Sequence, residues 1–167
     1  MAVVRIRSAD DVHDLAEAAV DNHRRVVLAL VPGADVEHVG ATAVPGAFTK
    51  GDVDLLVRVS EPEFPAAVEA LSGRYAIHQP HNWTPTLASF TDPEVSELPV
   101  GIQLVVTGSE ADRFFGPFRD ALISSQTLLA EYNELKLRLD GLEYERYTEQ
   151  KGQFIERVLR ELNDRRA

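Results

Sequence analysis

The chain has 167 residues, of which 44% are hydrophobic and 26% charged, with a formal net charge of -10 and no cysteine. That length and composition fit one globular domain with a sizeable core, and the acidic balance argues against broad, sequence-independent nucleic-acid binding, which needs a basic surface. Disulfides, thiolate metal sites and cysteine nucleophiles are excluded, and with neither an apolar run near the roughly 18 residues of a membrane span nor a signal-peptide pattern at Met1-Ala2-Val3-Val4-Arg5, a soluble cytoplasmic protein with no membrane partner is expected.

Ser8-Ala9-Asp10-Asp11 reads as a helix start, with Ser8 as N-cap and acids in the first turn. Leu15, Ala19, Val26 and Leu30 then place a helix at about 9–30, closed by Pro32-Gly33. Val36 to Val39 is a short strand, and positions 40–51 form a loop or a one-turn helix. Val53 to Val59, rich in β-branched and aliphatic residues, reads as a central strand covered on both sides. A helix starts at Glu61-Pro62, is anchored by Val68 and Leu71, and stops at Gly73. Tyr75 to His78 is a third strand, and Thr86–Thr91 with Val100–Thr107 a hairpin pair. Beyond Gly108, three helices are expected at about 110–124, 126–139 and 143–163, with apolar stripes Leu128-Tyr132-Leu135-Leu139 and Tyr144-Tyr147-Phe154-Val158. The sum is an α+β domain over 1–167, a mixed sheet within about 1–108 and a helical section over 109–167 packed onto it.

The most informative stretch is His38-Val39-Gly40-Ala41-Thr42-Ala43-Val44-Pro45-Gly46, followed by Asp52-Val53-Asp54. Residues i and i+2 of a strand point to one side, so Asp52 and Asp54 project together. Two carboxylates so placed repel each other unless a cation, a proton or basic side chains intervene. A hard ion such as Mg²⁺, which takes carboxylate and phosphate oxygens together, suits them. A small-residue turn before such a pair offers backbone donors to phosphate.

Gly40-Ala41 at the position of a Gly-Ser turn, a loop of about ten residues and Asp52-Val53-Asp54 on the next strand together resemble the signature of the nucleotidyltransferase superfamily related to DNA polymerase beta. Read as a whole, Glu37-His38-Val39-Gly40-Ala41-Thr42-Ala43-Val44-Pro45-Gly46 is similar to the opening motif of the GrpB family, a branch of that superfamily. Lys50 stands at that family's loop lysine, and Phe118-Arg119-Asp120, Glu131-Tyr132-Asn133-Glu134-Leu135-Lys136 and Tyr147-Thr148-Glu149-Gln150-Lys151 follow in its order. The resemblance covers roughly residues 8–162. It implies a nucleotidyltransferase-like mixed sheet with flanking helices, and a nucleoside triphosphate bound with Mg²⁺. Asp52 and Asp54 would be the metal-binding and catalytic pair. Gly40, Ala41 and Thr42 would hold the phosphates, with Lys50, Lys136, Lys151 and Arg119 adding charge. In an active enzyme an unidentified acceptor would attack the α-phosphate and pyrophosphate would leave.

Two departures weigh against catalysis. Ala41 replaces the usual serine, so a hydroxyl donor is lost, and Gln103 stands on Val100–Val106 where a third carboxylate is customary. Gln cannot take a proton from a hydroxyl at neutral pH. A different class of function therefore stays open: an inactive module that binds a nucleotide, another anionic metabolite or a protein partner. An acid from elsewhere, such as Asp92, Glu94 or Glu97, swinging into the site would favour catalysis. Plainer readings stand beside the functional ones. The aspartates end a strand at solvent, Lys50 is a loop ion pair, Lys136 and Lys151 are snorkelling stems, His38 packs beneath the loop, and Trp83 is a stacking platform or a core anchor.

Overall fold

The computed structural model describes residues 3–94 and 96–167. In chain order the elements are β1 (Arg7–Ser8), α1 (His13–Leu30), β2 (Asp35–Val39), β3 (Phe48–Thr49), β4 (Val53–Val59), α2 (Phe64–Ser72), β5 (Ala76–His78), β6 (Leu87–Thr91), β7 (Val100–Val106), α3 (Asp112–Ser124), α4 (Gln126–Arg138) and α5 (Tyr144–Arg166). Five strands form one mixed sheet in the order β2-β4-β7-β6-β5. β4 and β7 run parallel, and the remaining neighbours are antiparallel. The architecture is the α+β class that the patterning implies.

The central strand shows how sequence becomes layers. Val53, Leu55 and Val57 are fully buried and join Val20 and Val27 of α1 and Phe64 and Leu71 of α2 in the main core. Burying such side chains stabilises by about 1.5–3 kcal/mol each, which seats β4 in the middle of the sheet. The other parity holds Asp54, Leu56 and Arg58. Leu56 packs with Val39, Val105 and Phe115 under α3, and Arg58 reaches Asp112 at the start of α3. Asp54 opens onto a cavity. One face of one strand thus supplies a site residue, a core residue and a helix anchor in turn.

Three expectations need correction. Ser8 is not the cap of α1: it lies in β1, paired antiparallel with β3. Its Oγ still accepts the Asp10 N–H at 3.2 Å, and a single 3-10 turn, Asp10–Val12, leads into the helix. Strands of two residues are too short to show alternation, so β1 and β3 left no pattern in the sequence. Secondly, the N-terminal segment belongs with the helices. Val4 packs with Leu135, Leu139 and Tyr147, donates to the Leu142 carbonyl at 2.9 Å and accepts from the Gly141 N–H. Thirdly, Tyr144 is 40% exposed rather than on the buried stripe, because it starts α5, and its ring lies 4.9 Å from Lys50 Nζ.

Asn133 of α4 fixes the helical section to the turn before the site. Its Oδ1 accepts the Phe48 N–H at 2.8 Å, and its Nδ2 donates to the Gly46 carbonyl at 2.9 Å. Among the described residues, no helix is long and apolar enough to cross a membrane.

Candidate functional site

A cavity of about 970 Å³ lies between the sheet and α3–α5, and Gly40, Lys50, Asp52, Asp54, Lys136 and Lys151 are among its lining residues. Gly40 ends β2 with φ +79, and a Cβ there would sit 2.5 Å from Asp54 Oδ2. Glycine alone meets both demands, since φ > 0 is costly for other residues and the carboxylate leaves no room. Gly101 of β7 is the register partner of Asp54, and its Cβ would meet Asp54 Oδ1 at 3.1 Å. Two glycines therefore form the slot in which the Asp54 carboxylate sits. Gly101 drew no attention in the sequence, because its meaning depends on the β4-β7 register.

The electrostatics of the slot separate the two aspartates. Lys50 Nζ lies 2.7 Å from Asp52 Oδ2. Burial works to raise the Asp52 carboxyl, but Lys50, then Lys151 and Lys136, outweigh it and hold it below its ordinary value. Burial and then Asp52 push the Asp54 carboxyl up to about 6, against the pull of the same lysines. Burial acts to lower Lys50, and Asp52 more than offsets it, leaving that amine raised. Lys136 is 2% exposed, and burial, then Lys151, holds its amine well below the ordinary lysine value. Its Nζ stands 4.9 Å from the Tyr132 ring and 5.3 Å from the Tyr147 ring, with Lys151 Nζ 5.5 Å from that second ring.

Two of the nominated phosphate residues lie elsewhere. Arg119 donates to the His38 carbonyl at 2.9 Å and to Glu37 Oε2 at 3.3 Å, and also pairs with Asp120. It joins α3 to β2 and is not among the cavity-lining residues. The Thr42 side chain, buried at 6% exposure, points to the back of the turn and faces a second cavity of about 360 Å³. Its hydroxyl donates to the Asp52 carbonyl at 3.1 Å and meets His38 Nε2 at 2.9 Å. With its proton so directed, Oγ1 accepts from His38, whose ring burial holds uncharged, with a pKa lowered to about 4. His38 thus packs under the loop and braces the segment carrying Asp52. Trp83 packs against the main core, 5.3 Å from Phe90, with Nε1 donating to the His78 carbonyl.

Of the acids that could complete the pair, Asp92 lines the cavity but is engaged by other partners, and Glu94 and Glu97 do not line it. Asp92 is held by Arg74 at 2.9 Å and faces His23 at 3.3 Å. Glu94 is largely exposed beside Arg74, and Glu97 is exposed. Gln103 accepts from Ser89 Oγ at 2.6 Å. Glu110 and Glu156 also line the cavity, but among the described residues no three His, Asp or Glu side chains cluster as a metal site. The donor set does not make an all-protein cage for a cation. It does fit Mg²⁺ arriving with a polyphosphate, since that ion keeps waters and takes one or two carboxylates plus phosphate oxygens.

Comparisons with known proteins bear on the fold and the family. A UPF0157 protein of Vibrio cholerae serotype O1 is 36% identical over 152 residues, which are 90% of this chain and 79% of that one. A UPF0157 protein of Deinococcus radiodurans is 34% identical over 148 residues, covering 85% and 74%. The crystal structure of the conserved protein GrpB from Enterococcus faecalis matches with a TM-score of 0.71 at 14% identity, over 94% of this chain and 98% of that one. The Cid1 poly(U) polymerase with MgGTP bound matches at 0.51 and 16% identity, over 78% of this chain and 42% of that one. The fold is thus nucleotidyltransferase-like. A family model described as GrpB protein matches residues 5–161, and the chain belongs to the GrpB family.

Proposed function

We propose that the domain binds a nucleoside triphosphate with Mg²⁺ in this cavity, in the cytoplasm. The observation that carries the reading is the meeting of two carboxylates and three lysines from distant segments at one cavity. All three lysines of a chain whose net charge is -10 gather there. A polyanion that brings its own divalent ion satisfies both signs. Cid1, which shares the fold, was solved with MgGTP. Asp52 and Asp54 would hold the metal, which supplies charge neutralisation to the phosphates. The Gly40-Ala41 turn would offer its backbone N–H groups, and Lys50, Lys136 and Lys151 their charge.

Binding is better supported than transfer. An acceptor hydroxyl needs a group to take its proton, and with Asp52 and Asp54 engaged by the ion, Gln103 stands where such a group is customary. Nucleotidyl transfer to an acceptor follows only if the acceptor or a rearranged carboxylate supplies the base. The second reading, a domain that senses a nucleotide or another anionic metabolite without turning it over, is favoured by Gln103 and by Arg74 holding Asp92.

Calorimetric titration with the four common triphosphates, with and without Mg²⁺, tests the reading. The same titrations are run on Asp52→Asn/Asp54→Asn after circular dichroism shows that it is folded. Metal-dependent binding in the native chain that disappears in the variant is the expected result. No binding at millimolar nucleotide overturns the proposal, and equal binding with and without the metal overturns its Mg²⁺ half.

A further inference from the structure

Of the 17 Lys and Arg residues only three are lysines, Lys50, Lys136 and Lys151, and all three line the cavity of about 970 Å³. Every other cation in the chain is an arginine. Phosphate charge alone does not require that division, since arginine binds phosphate in bidentate fashion and is never short of its proton. Lysine adds one property arginine lacks: its amine can lose the proton and become a nucleophile.

The three amines are not equivalent. Lys50 is ion-paired to Asp52 at 2.7 Å and keeps its proton. Lys136 lies at the cavity wall, 2% exposed, between the rings of Tyr132 and Tyr147. Among the described residues it has no carboxylate within ion-pair distance, and the cation Lys151 shares the Tyr147 ring with it. The Tyr147 hydroxyl in the same cluster is buried without a partner. A desolvated amine beside a second cation is the setting in which lysine acts as a nucleophile toward carbonyl carbon. Burial and Lys151 hold the amine well below its ordinary value, more than Asp52 and Asp54 restore.

We propose that Lys136 is a covalent site, whose amine condenses with the carbonyl of a small phosphate-bearing aldehyde entering the cavity, with Lys151 facing the phosphate. The bond from Nζ to the carbonyl carbon forms and the carbon–oxygen bond breaks. The oxygen leaves as water with the two hydrogens of the amine, and no oxidant or reductant takes part. The inference shares with the nucleotide reading the premise that this cavity takes phosphate, and needs neither a nucleotide nor a metal.

The test uses pyridoxal 5′-phosphate as the probe, on the full chain at neutral pH, with borohydride trapping, intact mass and peptide mapping. One label per chain at Lys136 is expected, formed faster than at Lys50, whose amine is held protonated by Asp52 at 2.7 Å. Pyridoxal without its phosphate labels Lys136 more slowly, and Lys136→Arg, which keeps the charge and loses the amine, takes no label there. Label confined to Lys50, Lys151 or the α-amine overturns the proposal, as does equal labelling by the two aldehydes. Mapping on the native chain decides the matter even if the variant fails to fold. MgATP calorimetry on the same preparation separates the two ideas. Nucleotide binding without label at Lys136 removes this inference and leaves the nucleotide reading, whereas label without nucleotide binding does the reverse.

Discussion

The cavity and the edge where α3 meets the sheet use positive charge in opposite ways. At the edge, Arg58 pairs with Asp112, Asp35 and Glu37, and Arg119 shares Glu37 and closes on the His38 carbonyl. Each guanidinium meets several acceptors and joins elements: β4 to α3, and α3 to β2. In the cavity, Lys136 and Lys151 face tyrosine rings, and Lys50 alone of the three meets a carboxylate. The arginines hold the fold together, whereas Lys136 is buried without a carboxylate partner beside Lys151 and is left for something that enters. Buried charge without a partner is destabilising, so its presence in one place and its absence in the other marks the ligand end of the molecule.

The contrast breaks most visibly at Arg58. Arg58→Met leaves Asp112 without its cation and Glu37 with Arg119 alone. It should destabilise the chain by about 3 kcal/mol, as removal of one partner from a largely buried pair does. Urea unfolding measures this, and a loss under about 1 kcal/mol would show that the network is dispensable. Asp54→Asn should act in the opposite direction. The Asp54 carboxyl titrates near 6 in the fold against an ordinary 3.8. Between those values the native chain holds a proton that the unfolded chain has released, so stability falls as pH rises from about 4 to 6 and the penalty is complete above 6. Removing the charge should therefore stabilise the metal-free chain by about 2 kcal/mol at pH 7.5 and by little at pH 4. Equal unfolding midpoints of native and variant at pH 7.5 would refute the strained carboxylate.

Two smaller effects sharpen the division. Lys151→Met should weaken triphosphate binding about tenfold, or roughly 1.4 kcal/mol, with an unchanged melting temperature. A fall in melting temperature with unchanged affinity would place Lys151 among the structural cations. Arg119→Lys should lower stability by about 1 kcal/mol, because one ammonium cannot reproduce the fork to Glu37, Asp120 and the His38 carbonyl. Its nucleotide affinity should stay as it was, and a tenfold loss there would return Arg119 to the phosphate site.

What could be read along the chain was whatever a single element encodes. The β-branched run gave β4 its bounds at Val53 and Val59, the i,i+2 spacing put Asp52 and Asp54 on one side, and the Tyr132-Lys136 and Tyr147-Lys151 spacings put each tyrosine and its lysine on one helix face. The two-residue strands β1 and β3 escaped because they carry no period. Asn133 gave no sign of clamping Gly46 and Phe48, since its partners are backbone atoms more than 80 residues away.

By itself, then, the sequence determined the longer helices and strands, most of their buried faces and the carboxylate pair, because periodicity and side-chain direction are local properties of a helix or strand. Only the tertiary structure decided which cations meet that pair. Packing of α4 and α5 brings Lys136 and Lys151 to Lys50, the β4-β7 register sets Gly101 beside Asp54, and Glu37 draws Arg119 away to the edge. Such meetings depend on how separate faces dock and on which oppositely charged partner lies nearer after docking, and no spacing within one element carries that information.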